Sequence, residues 1–523
     1  MGTWLMLGLQ IMSALFIFII GMAVLAVVYM YIRDVTQSKQ AIRRNYPVIG
    51  RFRYLFEKQG EFFRQYFFAM DREEMPFNRA ERSWVYRAAK NTERMLAFGS
   101  TRNLEPPGSI LFMNCAFPTL AEDAVPVSNV TVGPYCRHPY TTDSVFNISG
   151  MSYGAISKPA VRALSMGARK AGCWLNTGEG GLSPYHLEGN CDIVFQIGTA
   201  KYGVRDEHGK LSDDRLRALA AHPQVKMFEI KMSQGAKPGK GGILPAIKVT
   251  EEIAEIRGIP AGQASISPNG HPDIRSPEDL LNMINRIRDV TGKPVGFKAV
   301  LGDVQWLDTF FELILDRGEE VAPDFITVDS ADGGSGAAPQ PLLDYVGLPL
   351  KESLPLLVDM LIERGLRKRI KVIASGKLIV PSKVAWALAT GADFVTSARG
   401  FMFSLGCIQA MQCNKDTCPT GITTHNSRLQ QGLDPTHKSD RVAYYHKYIT
   451  YGVGLIAHSC GVREPRLLRR RHVKIVSDHG LSIAMDKLHP LPEEGSHPHA
   501  MKIIATSKAD YSNELEQNES RPM

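Results

Sequence analysis

Residues 370–400 read IKVIASGKLIVPSKVAWALATGADFVTSARG. An apolar, β-branched run closes in Ser375 and Gly376, an amphipathic stretch follows behind Pro381, and a second apolar run closes in Ala398, Arg399 and Gly400. Strand, helix and strand in that order predict two parallel neighbours in one sheet. The pattern recurs at VFNISGMS near 145, CWLNTGEGG near 173, KMFEIKMSQG near 226, ASISP near 264, VGFKAV near 295 and DFITVDSADGG near 324, with helices such as SPEDLLNMINRIRDV between. Eight units in about 300 residues predict an α/β fold closed as a (β/α)8 TIM barrel, with an open doubly wound sheet as the alternative. Residue placement decides for the barrel. Nearly every candidate strand ends in Gly, Ser, Lys, Asn or Asp, and such barrels do their chemistry at the strands' C-terminal ends.

A chain of 523 residues, 44% apolar and 22% charged, suits one large domain with appendages. The net charge of +8 comes with no nucleic-acid recognition motif, and part of it sits beside the first apolar run and near the C-terminus, which argues against a nucleic-acid partner. From Trp4 to Ile32 there is no charged residue. Such a run spans a bilayer as one transmembrane helix, and no Lys or Arg precedes it as a cleaved signal requires. Arg33, Lys39, Arg43 and Arg44 follow, so the expectation is a single-pass anchor (residues 1–32) in the inner (cytoplasmic) membrane with the catalytic domain in the cytoplasm. The eight cysteines then stay reduced, available for metal, catalysis or burial. A helical segment is expected over 33–104, its aromatic and basic pattern suiting either packing on a body or contact with lipid headgroups. The barrel and a cysteine-bearing loop take 105–425, a helical extension with the basic run Arg469, Arg470, Arg471 takes 426–505, and a disordered tail takes 506–523.

Several motifs carry chemistry. ASGKL (374–378) and SARGF (397–401) end the seventh and eighth candidate strands, the usual phosphate grip of this barrel; Gly376, Arg399 and Gly400 are the candidates, with Lys377 beside them, unless the glycines only make turns. Lys298, inside the apolar run GFKAV, needs a negative partner: the edge of a reduced flavin near N1 and O2, or an Asp or Glu. LNTGEGG (175–181) and EIKMSQGAKPGKGG (229–242) supply Asn176, Lys231, Gln234 and Lys237 as donors suited to a small carboxylic acid, with Glu179 as the one carboxylate that could relay protons or orient ammonia. No glycine-rich strand-to-helix fingerprint indicates a nicotinamide site. Cys407, Cys413 and Cys418 fall within twelve residues. Zinc would need a fourth ligand such as His425, and iron–sulfur clusters normally take four cysteines.

The segments SGMSYGAIS, NTGEGG, IKMSQGAKPGKGG, DGGSGAAP and LGCIQAMQCNKDTCPTGI, in this order, resemble the FMN-binding synthase domain of the glutamate synthase family over roughly residues 110–425. The spacing C-x5-C-x4-C is similar to that family's cluster-binding pattern. The resemblance implies a 3Fe-4S cluster on Cys407, Cys413 and Cys418, FMN in the barrel, and 2-oxoglutarate and ammonia as reactants that pass through 2-iminoglutarate to L-glutamate. It further implies that Lys298 lies at the flavin edge, Glu179, Lys231 and Gln234 at the substrate, and Gly376, Arg399 and Gly400 at the phosphate. The electron donor would be a ferredoxin or a reductase subunit.

The sequence also departs from that family. It opens Met1, Gly2, Thr3, Trp4 and enters the apolar run, where full-length members begin with a glutamine-hydrolysing cysteine, so a short membrane-anchored form is expected, with ammonia free or supplied by a separate glutaminase subunit. Lys240 stands where the commoner motif has an acid, and Pro272 interrupts a stretch that often carries paired histidines. Two alternatives keep the cofactors: reduction of another imino acid, as in N-methylglutamate synthesis, and a membrane-bound electron-transfer protein.

Overall fold

The computed structural model describes residues 2–92 and 95–503 and divides into two compact units, residues 1–80 and 81–523. In the first unit, helix α1 (Gly2–Thr36) is apolar and exposed along its length, and at about 1.5 Å per residue it exceeds a bilayer's hydrocarbon thickness. Its one buried side chain is Asp34, which pairs with Arg43 at 2.6 Å and Arg51 at 2.7 Å and accepts the Val48 amide at 3.0 Å. These contacts fold helices α2 (Ala41–Asn45) and α3 (Gly50–Phe63) back onto the end of α1.

The second unit is built on a closed barrel of eight parallel strands: β1 (Phe146–Ile148), β2 (Leu175–Asn176), β3 (Ile193–Ile197), β4 (Val225–Lys231), β5 (Val295–Ala299), β6 (Phe325–Asp329), β7 (Lys371–Ser375) and β8 (Phe394–Ser397), each paired with its neighbours in sequence and β8 with β1. The crossover helices are α4 (Lys158–Ala171) after β1, α5 (Asp213–Ala220) after β3, α6 (Pro277–Thr291) after β4, α7 (Gln305–Arg317) after β5, α8 (Leu350–Glu363) after β6 and α9 (Pro381–Thr390) after β7. Local chemistry fixes their ends. Ser157 caps α4 by accepting the Ala160 amide, Pro159 lies in its first turn, and Gly172 closes it in the left-handed region. After β8 come α10 (Arg399–Leu405), the cysteine loop, and α11 (Pro435–Ser459), which packs against α4 and completes the helical ring.

The N-terminal end of the barrel is plugged: Val132 and Tyr140, from the hairpin Val130–Val132/Tyr140–Thr142, pack with Trp174, Val194, Met227, Phe325, Ile373 and Phe394. The open end is the other one, where the polar strand termini lie.

Seven of the eight expected strands are in the barrel; ASISP is not. Ser265–Ile266 pairs antiparallel with Ile243–Leu244 in the excursion between β4 and β5. The eighth strand is β3, from DIVFQIG. Only a one-turn helix, Pro184–Leu187, separates it from β2, so the helical spacing that marks the other units is missing there. The region after 425 is not purely helical either: Val473–Val476 pairs with Ser482–Ala484 and with Ile110–Phe112 in a three-stranded antiparallel sheet. Arg470 of the basic run is buried and paired with Asp359 on α8 at 2.5 Å. Residues 33–104 carry α2, α3 and the helix Arg79–Ala89, beyond which the described residues to 104 have no regular structure. The expected tail, 506–523, lies outside the described residues.

Candidate active site

Alternation along β4 places Met227, Glu229 and Lys231 on the inner face, from the plug upward to the mouth. Glu229 is 3% exposed and fully bonded: one oxygen accepts Asn176 Nδ2 of β2 at 2.8 Å and Gln196 Nε2 of β3 at 2.7 Å, the other Thr327 Oγ1 of β6 at 2.6 Å. A carboxylate so placed is tolerated only because every bond is made. Above it on the neighbouring strands, Lys298 Nζ of β5 lies 3.3 Å from Asp329 Oδ2 of β6, and Asp329 also accepts Ser375 Oγ of β7 at 2.7 Å and the Gly235 amide at 2.8 Å. Lys298 therefore has the carboxylate partner that one reading of the sequence required. Across the lumen, Thr396 Oγ1 of β8 is buried with no hydrogen-bond partner.

At the rim, Lys231 Nζ donates to Glu179 Oε1 at 2.8 Å and to Gln234 Oε1, which brings three sequence-predicted residues together. Glu179, 17% exposed in its side chain, fits between Gly198 and Gly242, where a Cβ at either position would come within 2.6 Å of it. Burial works to raise the Glu179 pKa, but Lys231, Lys237 and Arg257 outweigh it and hold the carboxyl below its ordinary value. Lys237 is pushed down to about 8, by burial first and Lys231 second. Arg257 is buried, donates to Ser265 Oγ at 3.3 Å and the Tyr153 carbonyl at 3.2 Å, and keeps Nε without a partner. His271 is held neutral, at about 4, chiefly by burial. Its Nε2 donates to the Lys231 carbonyl at 3.1 Å, which leaves Nδ1 a buried bare acceptor.

The predicted phosphate residues meet at the β6–β8 end. Gly376, at φ +134°, lies against Ser330, leaving no room for a Cβ. Lys377 pairs with Asp332 at 2.9 Å, and Arg399 donates to the Asp332 carbonyl at 3.3 Å while packing on Gly334. Gly400 has a packing reason to be glycine, because a Cβ there would strike the Tyr445 hydroxyl, and its amide faces Ser397 Oγ at 3.3 Å.

Cys407, Cys413 and Cys418 are free thiols on the loop between α10 and α11, close enough to feel one another's charge. Gln409, Met411 and Asp416, all non-glycine, take positive φ between and beside them. Among the described residues no three His, Cys, Asp or Glu side chains converge as a single-ion site. His425, the alternative fourth ligand, instead gives Nε2 to the Gly154 carbonyl at 2.8 Å. The loop is sewn to the turn after β1 by that bond, by the Ser157 amide on the Ile422 carbonyl at 2.8 Å, and by Lys248, whose Nζ donates to the carbonyls of Cys413 at 2.7 Å, Thr423 and, from the β1 turn, Ala155 at 3.4 Å.

Gln196, Glu229, Lys248, Arg257 and His271 were not singled out from sequence. A charge inside a buried strand run was a usable signal for Glu229; for the others nothing in local pattern separates them from surface residues.

The conserved region of glutamate synthases matches residues 120–463. The chain is 39% identical over 520 residues to the "glutamate synthase large subunit-like protein YerD" of Bacillus subtilis, covering 91% of this chain and 98% of the relative. It is 37% identical over 298 residues to the "archaeal-type glutamate synthase (NADPH)" of Thermotoga maritima, covering 56% of this chain and 55% of that one. Among solved structures, the flavin-binding domain of baker's yeast flavocytochrome b2 aligns over 76% of this chain and 79% of its own, at 14% identity and a TM-score of 0.43. Barrel, mouth and matches define the class: a (β/α)8-barrel oxidoreductase of the kind that acts on CH–NH2 donors. The chain belongs to the glutamate synthase family.

Proposed function

We propose that the protein reductively aminates 2-oxoglutarate to L-glutamate through 2-iminoglutarate, using FMN in the barrel mouth and a 3Fe-4S cluster on the cysteine loop. The observation that carries this reading is the rim: three cations, Lys231, Lys237 and Arg257, around one carboxylate, Glu179. The positive surplus suits a dicarboxylate, and Glu179 Oε, held ionised, is placed to take a proton as ammonia adds to the keto carbon.

The lumen fits a flavin in its donor set: Lys298, the amides of Asn176 and Gln196 fixed by Glu229, and the unsatisfied Thr396 hydroxyl offer partners of both kinds. Gly376, Lys377 and Arg399 would hold its phosphate. Bound FMN, when reduced, supplies the hydride. The three thiols, which form no single-ion site among the described residues, would hold a three-iron cluster rather than one metal ion. Electrons would come from a ferredoxin or reductase subunit, ammonia from solution or a separate glutaminase subunit, and α1 would anchor the chain in the cytoplasmic membrane.

The test is turnover by anaerobically purified, detergent-solubilised protein with a reduced low-potential donor, comparing ammonium with methylamine. Glutamate from 2-oxoglutarate and ammonium is expected, with a three-iron paramagnetic resonance signal absent from C413S. Preference for methylamine would reassign the product, and a flavin that exchanges electrons with quinone yet ignores 2-oxoglutarate would make the chain an electron carrier. Loss of the protein from membranes after an alkaline wash would exclude α1 as a spanning anchor.

A further inference from the structure

Lys248 is 1% exposed and ends the short 3-10 turn Ala246–Lys248, far in sequence from the cysteines. Its hydrogen bonds go to three carbonyl oxygens, those of Ala155, Cys413 and Thr423. The acidic groups that bear on it are Asp416 and the thiols of Cys413 and Cys418. Asp416 is already engaged, with Oδ1 accepting the His425 amide at 2.7 Å. A buried ammonium among neutral acceptors is costly, and a cell of this kind is stable when an anion stands beside it. Three thiolates outweigh the charge of a three-iron, four-sulfide core, so the assembled cluster would be an anion in both redox states, more so when reduced.

We infer that Lys248 is the built-in counter-cation of the cysteine loop, a positioning residue that joins the loop to the β1 turn and raises the reduction potential of the cluster bound there. This rests on the cluster reading above. The physical basis is that a fixed cation favours whichever state carries more negative charge, and protein charges and hydrogen bonds around the sulfurs are what tune such potentials. The bonds to Ala155 and Cys413 also make Lys248 a rigid strut between the loop and the barrel mouth.

The experiment is potentiometric titration of the holoprotein followed by electron paramagnetic resonance, with iron and sulfide analysis and thermal melting, for wild type, K248R and K248M. The expected result is equal iron in all three, a midpoint for K248R near wild type, and a midpoint for K248M lowered by at least a tenfold change in the reduction equilibrium, about 59 mV for one electron. Iron kept by K248R and lost by K248M also supports a requirement for charge. An unchanged midpoint in iron-replete K248M overturns the inference while leaving the cluster intact. Iron lost from both variants with equal loss of melting temperature makes Lys248 merely structural. Wild type that binds no iron after anaerobic reconstitution removes the cluster reading itself.

Discussion

Lys231 Nζ stands 2.8 Å from Glu179 Oε1, which ties the end of β4 to the loop after β2 at the barrel mouth. The contact keeps Glu179 ionised and aimed, so E179Q should retain the fold yet lose the proton acceptor. A fall in ammonium-dependent kcat of roughly 10²–10³-fold is expected, with E179D recovering part of it. Steady-state rates beside a melting curve check this; wild-type turnover by E179Q would reduce the carboxylate to a counter-charge.

Lys237 sits in the same cluster with its pKa pushed down to about 8, burial being the main cause. As pH rises through that value the rim loses one positive charge, so KM for 2-oxoglutarate should climb above pH 8 while kcat stays comparatively flat. Arginine remains protonated throughout this range, and K237R should remove the inflection. A KM profile with the same inflection in K237R would assign it to another group.

Glu229 holds β2, β3, β4 and β6 in register through three short bonds, in a place water does not reach. Glu229→Ala strands two amides and a hydroxyl at once. The expected loss is about 3 kcal/mol or more, read by denaturant or thermal unfolding. Fluorescence of released flavin should rise in parallel, because Asn176 and Gln196 lose the acceptor that orients them.

How far the sequence reached follows from what local patterns encode. Strands β4 to β8 announce themselves as apolar runs separated by amphipathic helices, and the glycine-rich ends at Gly178, Gly235 and Gly376 mark the mouth. β3 escaped because its crossover is one helical turn, and ASISP took its place because a two-residue antiparallel pair has the same composition as a short barrel strand. The rim contact of Glu179, Lys231 and Gln234 was legible from two motifs. Arg257 and Lys248 were not: each comes from the long excursion between β4 and β5, and only the fold carries them back, one beside Glu179 and one beneath the cysteines. Asp329 as the partner of Lys298 is likewise a product of the barrel's register, since the two lie on adjacent strands.

Gly400 admits two explanations, a phosphate grip and a packing constraint, and a double-mutant cycle separates them. In G400A the new methyl would press on the Tyr445 hydroxyl, which donates to the Ile379 carbonyl at 3.0 Å, so the helix α10 must shift from α11 at a cost of about 1–3 kcal/mol. Y445F alone removes one buried bond, worth about 1 kcal/mol. If packing governs the position, the double variant should lose less than the sum of the two and regain part of the flavin content, because the worst clash is relieved while Ser397 Oγ still stands 2.8 Å from the new methyl. If the backbone at Gly400 grips the phosphate, flavin retention should stay low in G400A whether or not Tyr445 keeps its hydroxyl. Unfolding free energy and flavin stoichiometry, measured on the four proteins, read the two contributions separately.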